Sequence, residues 1–299
     1  VIGTAGLTEK QMKRFEEASN IIPVFRGGNF RFDVKKFIDE VVEYAKKSEK
    51  ESFDLIETHY KTKKVPSETA KVVAKRVLDE TGKKVNINSY LEYDELINDW
   101  KVDNLECRVV GFKELAENVL EIAKMMKDKT PSGVYDLDRL LKEQELIDLH
   151  NFLIEAKKET YANENVEKVK STRRGSHDYE YTKDNWTYHD TYFGGTDFQG
   201  QEVVYRQADT PIWGMIYYGK TLDESLSEEA MDKALRPALM QVGQDDVIPV
   251  RGPKEFENQG YQYTFKVTGD LTSFEGEETI EKEGNKVYTL KCHGGIIRR

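Results

Sequence analysis

Apolar residues in the first 135 positions recur at the spacing of helices in three segments. Residues 33–50 predict a helix with Asp33 as its N-cap, and residues 112–129 predict another with one apolar face. A third helix is predicted between Ser67, as its N-terminal cap, and Gly82, as its C-terminal stop. Helix is therefore the dominant element of this half.

The remaining patterns define the expected domains. Alternating or β-branched runs at residues 86–97 and 105–112 predict short strands, so residues 1–127 are interpreted as a mixed, mainly helical domain. Residues 128–135 contain Pro, Ser and Gly directly after a helix, which predicts a linker. A further helix is expected over residues 137–162, where it would pack on the second domain.

From residue 174 onward the hydrophobic period changes from near 3.6 to two. Residues 177–193 predict a hairpin that turns at Asp184, and residues 225–242 predict a helix interrupted at Pro237. Further strands are expected at residues 201–207, 211–219, 261–269, 277–284 and 286–295. The fold class is therefore α+β, with an antiparallel β-rich domain and a packed helix at residues 136–299.

An internal repeat runs through this second half at an offset of 75 to 77 residues. Residues 174–219 align with residues 251–294, so that Glu202 meets Glu278, among other pairs. Glycines and aromatic side chains recur at matching places, which is typical of a structural skeleton. The repeat predicts a duplicated antiparallel unit whose matching ends meet to form a pocket.

The charge distribution limits where nucleic acid could bind. Residues 1–135 carry 24 basic and 24 acidic side chains, so the whole net charge of −10 lies in residues 136–299. An acidic surface repels phosphate backbones, which leaves only the N-terminal domain as a nucleic-acid interface. The candidates are Lys71, Lys75 and Arg76 on the predicted helix 67–79; the alternative is a solvated helix face.

Composition excludes several classes of protein. The only cysteines are Cys107 and Cys292, so a disulfide framework and a multi-cysteine zinc site are excluded and a reducing cytoplasm is expected. Five scattered histidines predict no metal site, and no cofactor is indicated. The sequence has no membrane-spanning apolar run, no secretory signal, no phosphate-binding glycine loop and no hydrolase motif, so no membrane partner is expected.

Candidate ligand-binding residues come from the repeat and from one face of its strands. Aromatic rings could stack a planar ligand, paired carboxylates could act as acid and base, and two arginines could hold an anion. For each group the alternative is a structural role in the core, in turns or in salt bridges. The candidates are Arg174, Tyr192, Glu202, Trp213, Tyr218, Arg251, Glu278 and His293.

Residues 146–299 resemble a known family through an ordered set of segments. These include "RRGSHDYEY", "YHDTYFGGTDFQGQEVV", "PIWGMIYYG" and the terminal "HGGII". The segments are similar to a domain of unknown function of Firmicutes that commonly follows an XRE-type helix-turn-helix. The resemblance implies a bacterial intracellular protein in which this domain senses or binds something, and it carries no established catalytic residues. Residues 1–135 show no clean repressor-type motif.

Three functional hypotheses follow. The first is a regulatory or ligand-sensing protein whose C-terminal β domain binds a small molecule or a protein partner. The second is an enzyme that uses Glu202, Glu278 and His293 as acid and base groups on an anionic substrate. The third is a nucleic-acid-binding regulator that acts through helix 67–79.

Overall fold

The computed structural model describes residues 8–26, 31–111, 113–160, 162, 166–207 and 209–298. The chain divides into two compact units, residues 1–144 and 145–299. Helices lie mostly in the N-terminal part and a large antiparallel sheet lies in the C-terminal part, which confirms the α+β class. Within the described residues, no helix is both long and apolar enough to cross a lipid bilayer.

The first unit contains a four-stranded sheet, and one helix connects two of its strands. Its elements are α1 (Glu9–Ala18), β1 (Val24–Phe25), α2 (Phe32–Lys47), β2 (Ser52–Tyr60), α3 (Glu68–Thr81), β3 (Lys84–Tyr93), β4 (Ile97–Val102), β5 (Leu105–Val110), α4 (Lys113–Met126) and β6 (Val134–Tyr135). The strand order is β3-β2-β4-β5, in which β2 and β3 are parallel and the other pairs are antiparallel. Helix α3 is the crossover that a parallel pair requires.

The helices of this unit form for the reasons that the sequence suggests. The predicted apolar face of α2 is buried, and its members are Val34, Phe37, Ile38, Val41, Val42 and Ala45. Ser67 caps α3 by accepting from the Ala70 N–H, and Gly82 ends it in the left-handed conformation with φ of 72°. Asp33 is not the N-cap of α2, because that helix begins at Phe32 and its N-cap is Arg31.

The predicted linker region is structured at its end. Residues Val134–Tyr135 form β6, which pairs in parallel with β1. Tyr135 is buried in a small core with Phe25 and Ile122. The helix α5 (Leu137–Lys158) follows at once, and the boundary between the compact units falls within it, at residues 144 and 145. Burial of an aromatic side chain thus ties this segment to the first unit.

The second unit is built on one eight-stranded antiparallel sheet. Its strands are β7 (His177–Lys183), β8 (Trp186–Gly194), β9 (Phe198–Arg206), β10 (Thr210–Thr221), β11 (Glu255–Asn258), β12 (Tyr261–Asp270), β13 (Ser273–Lys282) and β14 (Asn285–Ile296). The order β11-β12-β13-β14-β10-β9-β8-β7 consists of two consecutive four-stranded meanders that join where β10 pairs with β14. The hairpin between β7 and β8 turns at Asp184, as predicted, with φ of 53°.

Corresponding residues of the two meanders occupy corresponding places in the sheet. Glu202 pairs with Asp190 and Met215, whereas Glu278 pairs with Phe265 and Leu290. These pairings keep an offset of 75 or 76 residues. The duplication itself stays a prediction, and the strand register is consistent with it.

A helical segment, residues 224–239, covers part of the sheet. It consists of a 3₁₀ turn, an α-helical turn, a π-helical turn at Met231–Leu235 and a last α-helical turn at Arg236–Leu239. The helix is not interrupted at Pro237, contrary to the prediction. Pro237 stands in the first turn after the π-helical turn, where a missing N–H is tolerated.

Candidate functional site

A pocket lies in the second unit between the sheet and the helical segment. Its cavity has a volume of about 130 Å³. The strands contribute Tyr179, Asp190, Tyr192, Phe198 and Tyr217, the helical segment contributes Met231, Leu235, Arg236 and Leu239, and Gly195 and Arg251 complete the lining. The π-helical turn supplies two of these apolar side chains, and such turns are frequent at functional sites.

Asp190 places a carboxyl group in the wall of this pocket. It lies on β8 and is 2% exposed. Tyr217 donates its hydroxyl to Asp190 Oδ1 at 2.7 Å. The strand between them provides the space for this contact, because residue 200 is glycine. A Cβ atom there would lie 2.3 Å from Tyr217 Oη.

Two buried ion pairs lie close to Asp190 in the same core. Lys157 of α5 bonds to Glu202, and both side chains are fully buried. Arg251 binds Glu278 through two hydrogen bonds of 2.9 and 3.0 Å. Each pair is internally neutral. Asp190 forms no salt bridge with a lysine or arginine of the described residues. Its carboxyl group therefore differs from those of Glu202 and Glu278, which each have a cationic partner.

The ionisation of these groups follows from their burial. Burial, together with the negative charge of Glu202, raises the pKa of Asp190 to about 8. Burial also lowers the pKa of Lys157, although Glu202 opposes this change. The pKa of Tyr217 is raised well above its usual value, by burial and then by Asp190. At neutral pH Asp190 is therefore a neutral acid beside a neutral phenol.

The pocket lies beside the meander that contains Asp190, and the corresponding positions of the other meander differ. At the position that corresponds to Asp190, the other meander has Phe265, which is buried. The Phe265 ring fills the space over Gly276, where an added Cβ would lie 2.7 Å from it. Tyr217 likewise corresponds to Cys292. One meander is therefore filled with apolar side chains where the other has an acid, a phenol and a cavity.

The candidate residues from the sequence are divided among five places. Tyr192 and Arg251 line the pocket. Glu202 and Glu278 are fully buried in the ion pairs described above. Trp213 belongs to the core, where its ring stacks on Phe274 and its Nε1 donates to the Leu271 carbonyl at 3.1 Å.

The other candidates lie away from the pocket. Arg174 is exposed in the turn before β7. Tyr218 and His293 lie on the opposite face of the sheet, as the strand alternation predicts, and both line an open depression of about 560 Å³. Glu202 and Glu278 face the core. The structure therefore does not bring Glu202, Glu278 and His293 together, and the acid and base hypothesis lacks a common site.

The basic residues proposed for nucleic-acid binding are paired with acids. Lys71 Nζ lies 2.8 Å from Glu68, and Lys75 bonds to Asp79 on the same helix. Arg76 binds Asp39 at 2.6 Å and also the neighbouring Glu80. Because each cation has a carboxylate partner, α3 presents little net positive charge to a phosphate backbone.

Three informative residues of the pocket and of the neighbouring ion pair were not predicted from the sequence. Asp190 and Lys157 stand in an apolar pattern, and a charged residue at a core position was the available signal. Tyr217 was not among the candidates, because a tyrosine is an ordinary residue of a buried strand face. The missing information was the covering helical segment, whose position relative to the strands depends on tertiary packing.

The first unit has a separate buried polar cluster. The carboxyl group of Glu57 accepts from the N–H and hydroxyl of Ser67, from the hydroxyl of Ser89 at 2.6 Å, and contacts His59 Nε2 at 2.9 Å. Burial alone raises the pKa of Glu57, but these hydrogen bonds outweigh it and lower the pKa to about 2. His59 Nδ1 is buried without a hydrogen-bond partner in the described structure. None of these residues was a candidate site residue from the sequence.

Neither cluster has the composition of a metal centre. Among the residues that the structure describes, no three His, Cys, Asp or Glu side chains lie together in a way that could hold a metal ion. The pocket offers aromatic rings, a carboxyl group and apolar side chains, which suit an organic ligand.

Comparison with known proteins gives matches to a family model and to reductases. Residues 190–297 match the family model DUF5680, a domain of unknown function. This agrees with the resemblance of the second half to such a domain; an association with an XRE-type helix-turn-helix is not shown. The match includes Asp190 and most of the sheet.

The other matches are to reductases and fall in the N-terminal region. A 4-hydroxy-tetrahydrodipicolinate reductase of Caldanaerobacter subterraneus subsp. tengcongensis is 41% identical over 75 residues, which are 25% of this chain and 30% of that protein. The enzyme of the same name from Methanocorpusculum labreanum is 35% identical over 85 residues, or 28% and 34% of the two chains. The chain thus spans about a third of the length of these relatives.

A solved structure gives a weaker match. It is a dipicolinate-bound dihydrodipicolinate reductase from Paenisporosarcina sp. TG-14, with a TM-score of 0.35 and 14% identity. The match covers 45% of this chain and 61% of the other. These values are too low to establish a common fold.

Proposed function

We propose that the second unit is a ligand-sensing unit that binds a small molecule in the pocket beside Asp190. The observation that carries this proposal is a buried carboxyl group, without a cationic partner among the described residues, in the wall of a cavity. Burying a carboxyl group without a cationic partner costs free energy of folding, and such burial is typical of a functional site rather than of a stable core. The protein is then regulatory, and no reaction is assigned to this unit.

The surroundings of the cavity support a ligand rather than a catalytic role. Tyr179 and Tyr192 stack with a centroid distance of 6.3 Å, and both contribute to the lining. Opposite them, the helical segment contributes apolar side chains. A few polar groups in a mostly apolar cavity are the usual composition of a small-molecule site. The π-helical turn offers a way for a bound ligand to alter the covering helix.

A fragment screen tests this proposal. Neutral, anionic and cationic fragments would be added to the protein with isotopically labelled methionine methyl groups, because Met231 lies in the pocket wall. We expect at least one fragment class to shift the Met231 signal and to leave that of Met12, in the first unit, unchanged. A complete screen in which no fragment shifts the Met231 signal would refute the proposal.

A second candidate function concerns the first unit. The identity to 4-hydroxy-tetrahydrodipicolinate reductases favours a role of this unit in a reductase of that kind. The buried cluster of Glu57, His59 and Ser67 would then hold the loop between β2 and α3 in place, since Glu57 binds Ser67 at the start of α3. The loop residues Lys61 and Lys64 are exposed and could meet an anionic substrate, although Lys61 Nζ also lies 2.7 Å from Asp94.

An activity assay tests this second candidate. The chain would be supplied with 4-hydroxy-tetrahydrodipicolinate and a nicotinamide hydride donor, and oxidation of the donor would be followed by absorbance. We expect activity that falls at least tenfold in the variant Lys61→Ala/Lys64→Ala and is retained in Lys75→Ala, which changes a lysine of α3. Absence of turnover with both NADH and NADPH would remove this candidate.

The remaining hypotheses receive less support. The fragment screen distinguishes a small-molecule ligand from a protein partner of the second unit, since a protein surface need not occupy the cavity. Nucleic acid binding through Lys71, Lys75 and Arg76 is disfavoured by their acidic partners. Binding to DNA at low salt that is lost when all three become alanine would restore this hypothesis.

A further inference from the structure

The buried charges around the pocket do not balance if every acid is ionised. Asp190, Glu202 and Glu278 supply three carboxyl groups, whereas Lys157 and Arg251 supply two cations. Lys157 is bonded to Glu202 and Arg251 to Glu278. One more positive charge would balance three carboxylates, and it would pair with Asp190.

Charged and titratable groups approach Asp190 from every neighbouring element. They are Tyr179 on β7, Tyr192 on β8, Glu202 on β9, Tyr217 on β10, Lys157 on α5, Arg236 on the helical segment and Arg251 before β11. Arg236 is bound to Asp232 at 2.6 Å at the partly exposed edge of the pocket. Both arginines therefore already have carboxylate partners, which leaves Asp190 as the group that lacks one.

The aromatic side chains of the pocket also suit a ligand that carries a positive charge. The face of a tyrosine ring attracts cations, and the attraction grows where water is excluded. The structure contains an internal example, because Lys168 Nζ lies 5.4 Å from the centroid of the Tyr192 ring. Tyr217 contributes a third phenol, hydrogen-bonded to Asp190.

We propose, building on the ligand-sensing function proposed above, that the pocket binds a small organic cation, such as an amidinium, guanidinium or primary ammonium group, whose charge pairs with the Asp190 carboxylate. The aromatic rings hold the organic part of the ligand, and the helical segment covers it. The raised pKa of Asp190 means that binding expels its proton, because the cation pairs with the ionised form. Binding is therefore linked to pH.

The test uses three probes of matched shape and different charge, and one smaller cation. Benzamidine is the cation, benzamide its neutral counterpart, benzoate its anionic counterpart, and methylguanidinium a smaller cation. Affinities are measured by isothermal titration calorimetry with the full chain at pH 6 and pH 7, in two buffers of different ionisation heat. The variants are Asp190→Asn and, as a control, Glu275→Gln, which changes an exposed acid on β13.

The proposal predicts a specific pattern. At least one of the two cations binds at least tenfold more tightly than benzamide and benzoate, tightens by about tenfold from pH 6 to pH 7, and releases about one proton. Asp190→Asn loses at least tenfold of that affinity, and Glu275→Gln retains it.

Other results overturn the proposal in distinguishable ways. If benzamide or benzoate binds as well as the cations, or only non-cationic fragments shift the Met231 signal, the cation assignment is wrong and the ligand-sensing function stands. If no fragment and no probe reaches the pocket, both fall together.

Discussion

Replacing Asp190 by asparagine tests the central feature of the pocket, a carboxyl group that is protonated in the folded protein. Asparagine has nearly the same shape, and its carbonyl oxygen can accept the Tyr217 hydroxyl as Asp190 Oδ1 does. The substitution therefore removes the acid and keeps the packing. Any change of stability with pH that disappears in this variant belongs to the carboxyl group.

The expected magnitude follows from the two pKa values of Asp190. They are 3.8 for an unperturbed aspartate and about 8 in the folded protein. Between these pH values the folded state holds one more proton than the unfolded state, so its free energy of unfolding falls by about 1.4 kcal/mol per pH unit. This contribution to stability is complete below pH 3.8 and is lost as the pH rises through 8. Over the two pH units from 5 to 7, the variant should gain about 3 kcal/mol relative to the original protein.

Urea unfolding at pH 5 and pH 7 measures this difference. In a background with Trp100→Phe, the remaining tryptophans, Trp186 and Trp213, both lie in the second unit and report on its unfolding. Comparing the variant with the original at each pH cancels the contributions of other titrating groups. The control Glu275→Gln should show the same stability difference at both pH values. A relative gain below about 0.5 kcal/mol, or a relative loss, would show that Asp190 is ionised in the folded protein and would refute the reasoning.

Three further predictions concern the buried charges and one glycine. Glu57→Gln should lower the free energy of unfolding of the first unit by about 3 kcal/mol at pH 7, and this difference should vanish as the pH falls from 4.5 toward 2. Hydrogen exchange in α3 measures the difference at neutral pH, and urea unfolding measures it at acid pH. Lys157→Met should cost about 3–5 kcal/mol in urea unfolding because it leaves a buried carboxylate unpaired, and adding Glu202→Met should recover most of that loss; no recovery would contradict the pairing. Gly200→Ala should destabilise the second unit by about 1–3 kcal/mol, because its Cβ meets a phenol oxygen and a backbone carbonyl. The added Cβ of Gly195→Ala meets nothing within 4 Å, so this control should be neutral. Equal effects of the two substitutions in thermal melts would exclude the steric explanation.

Local patterns in the sequence were sufficient for most of the secondary structure. The apolar spacing of α2 gave its buried face, and Ser67 and Gly82 gave the ends of α3, because capping depends on residues only a few positions apart. Alternation along β10 separated the core face, with Trp213, from the exposed face, with Tyr218. The α+β class follows from these elements.

What the sequence by itself determined is therefore the type of most elements, the side of each strand that faces the core, and the uneven distribution of charge. Tertiary structure alone decided that Lys157 pairs with Glu202, 45 positions away, and that Asp190 opens into a cavity where the other meander has Phe265. Periodicity reports only how a side chain relates to its own helix or strand. A pocket and a raised pKa depend on which elements pack against each other, and that is settled by long-range contacts that no local pattern encodes.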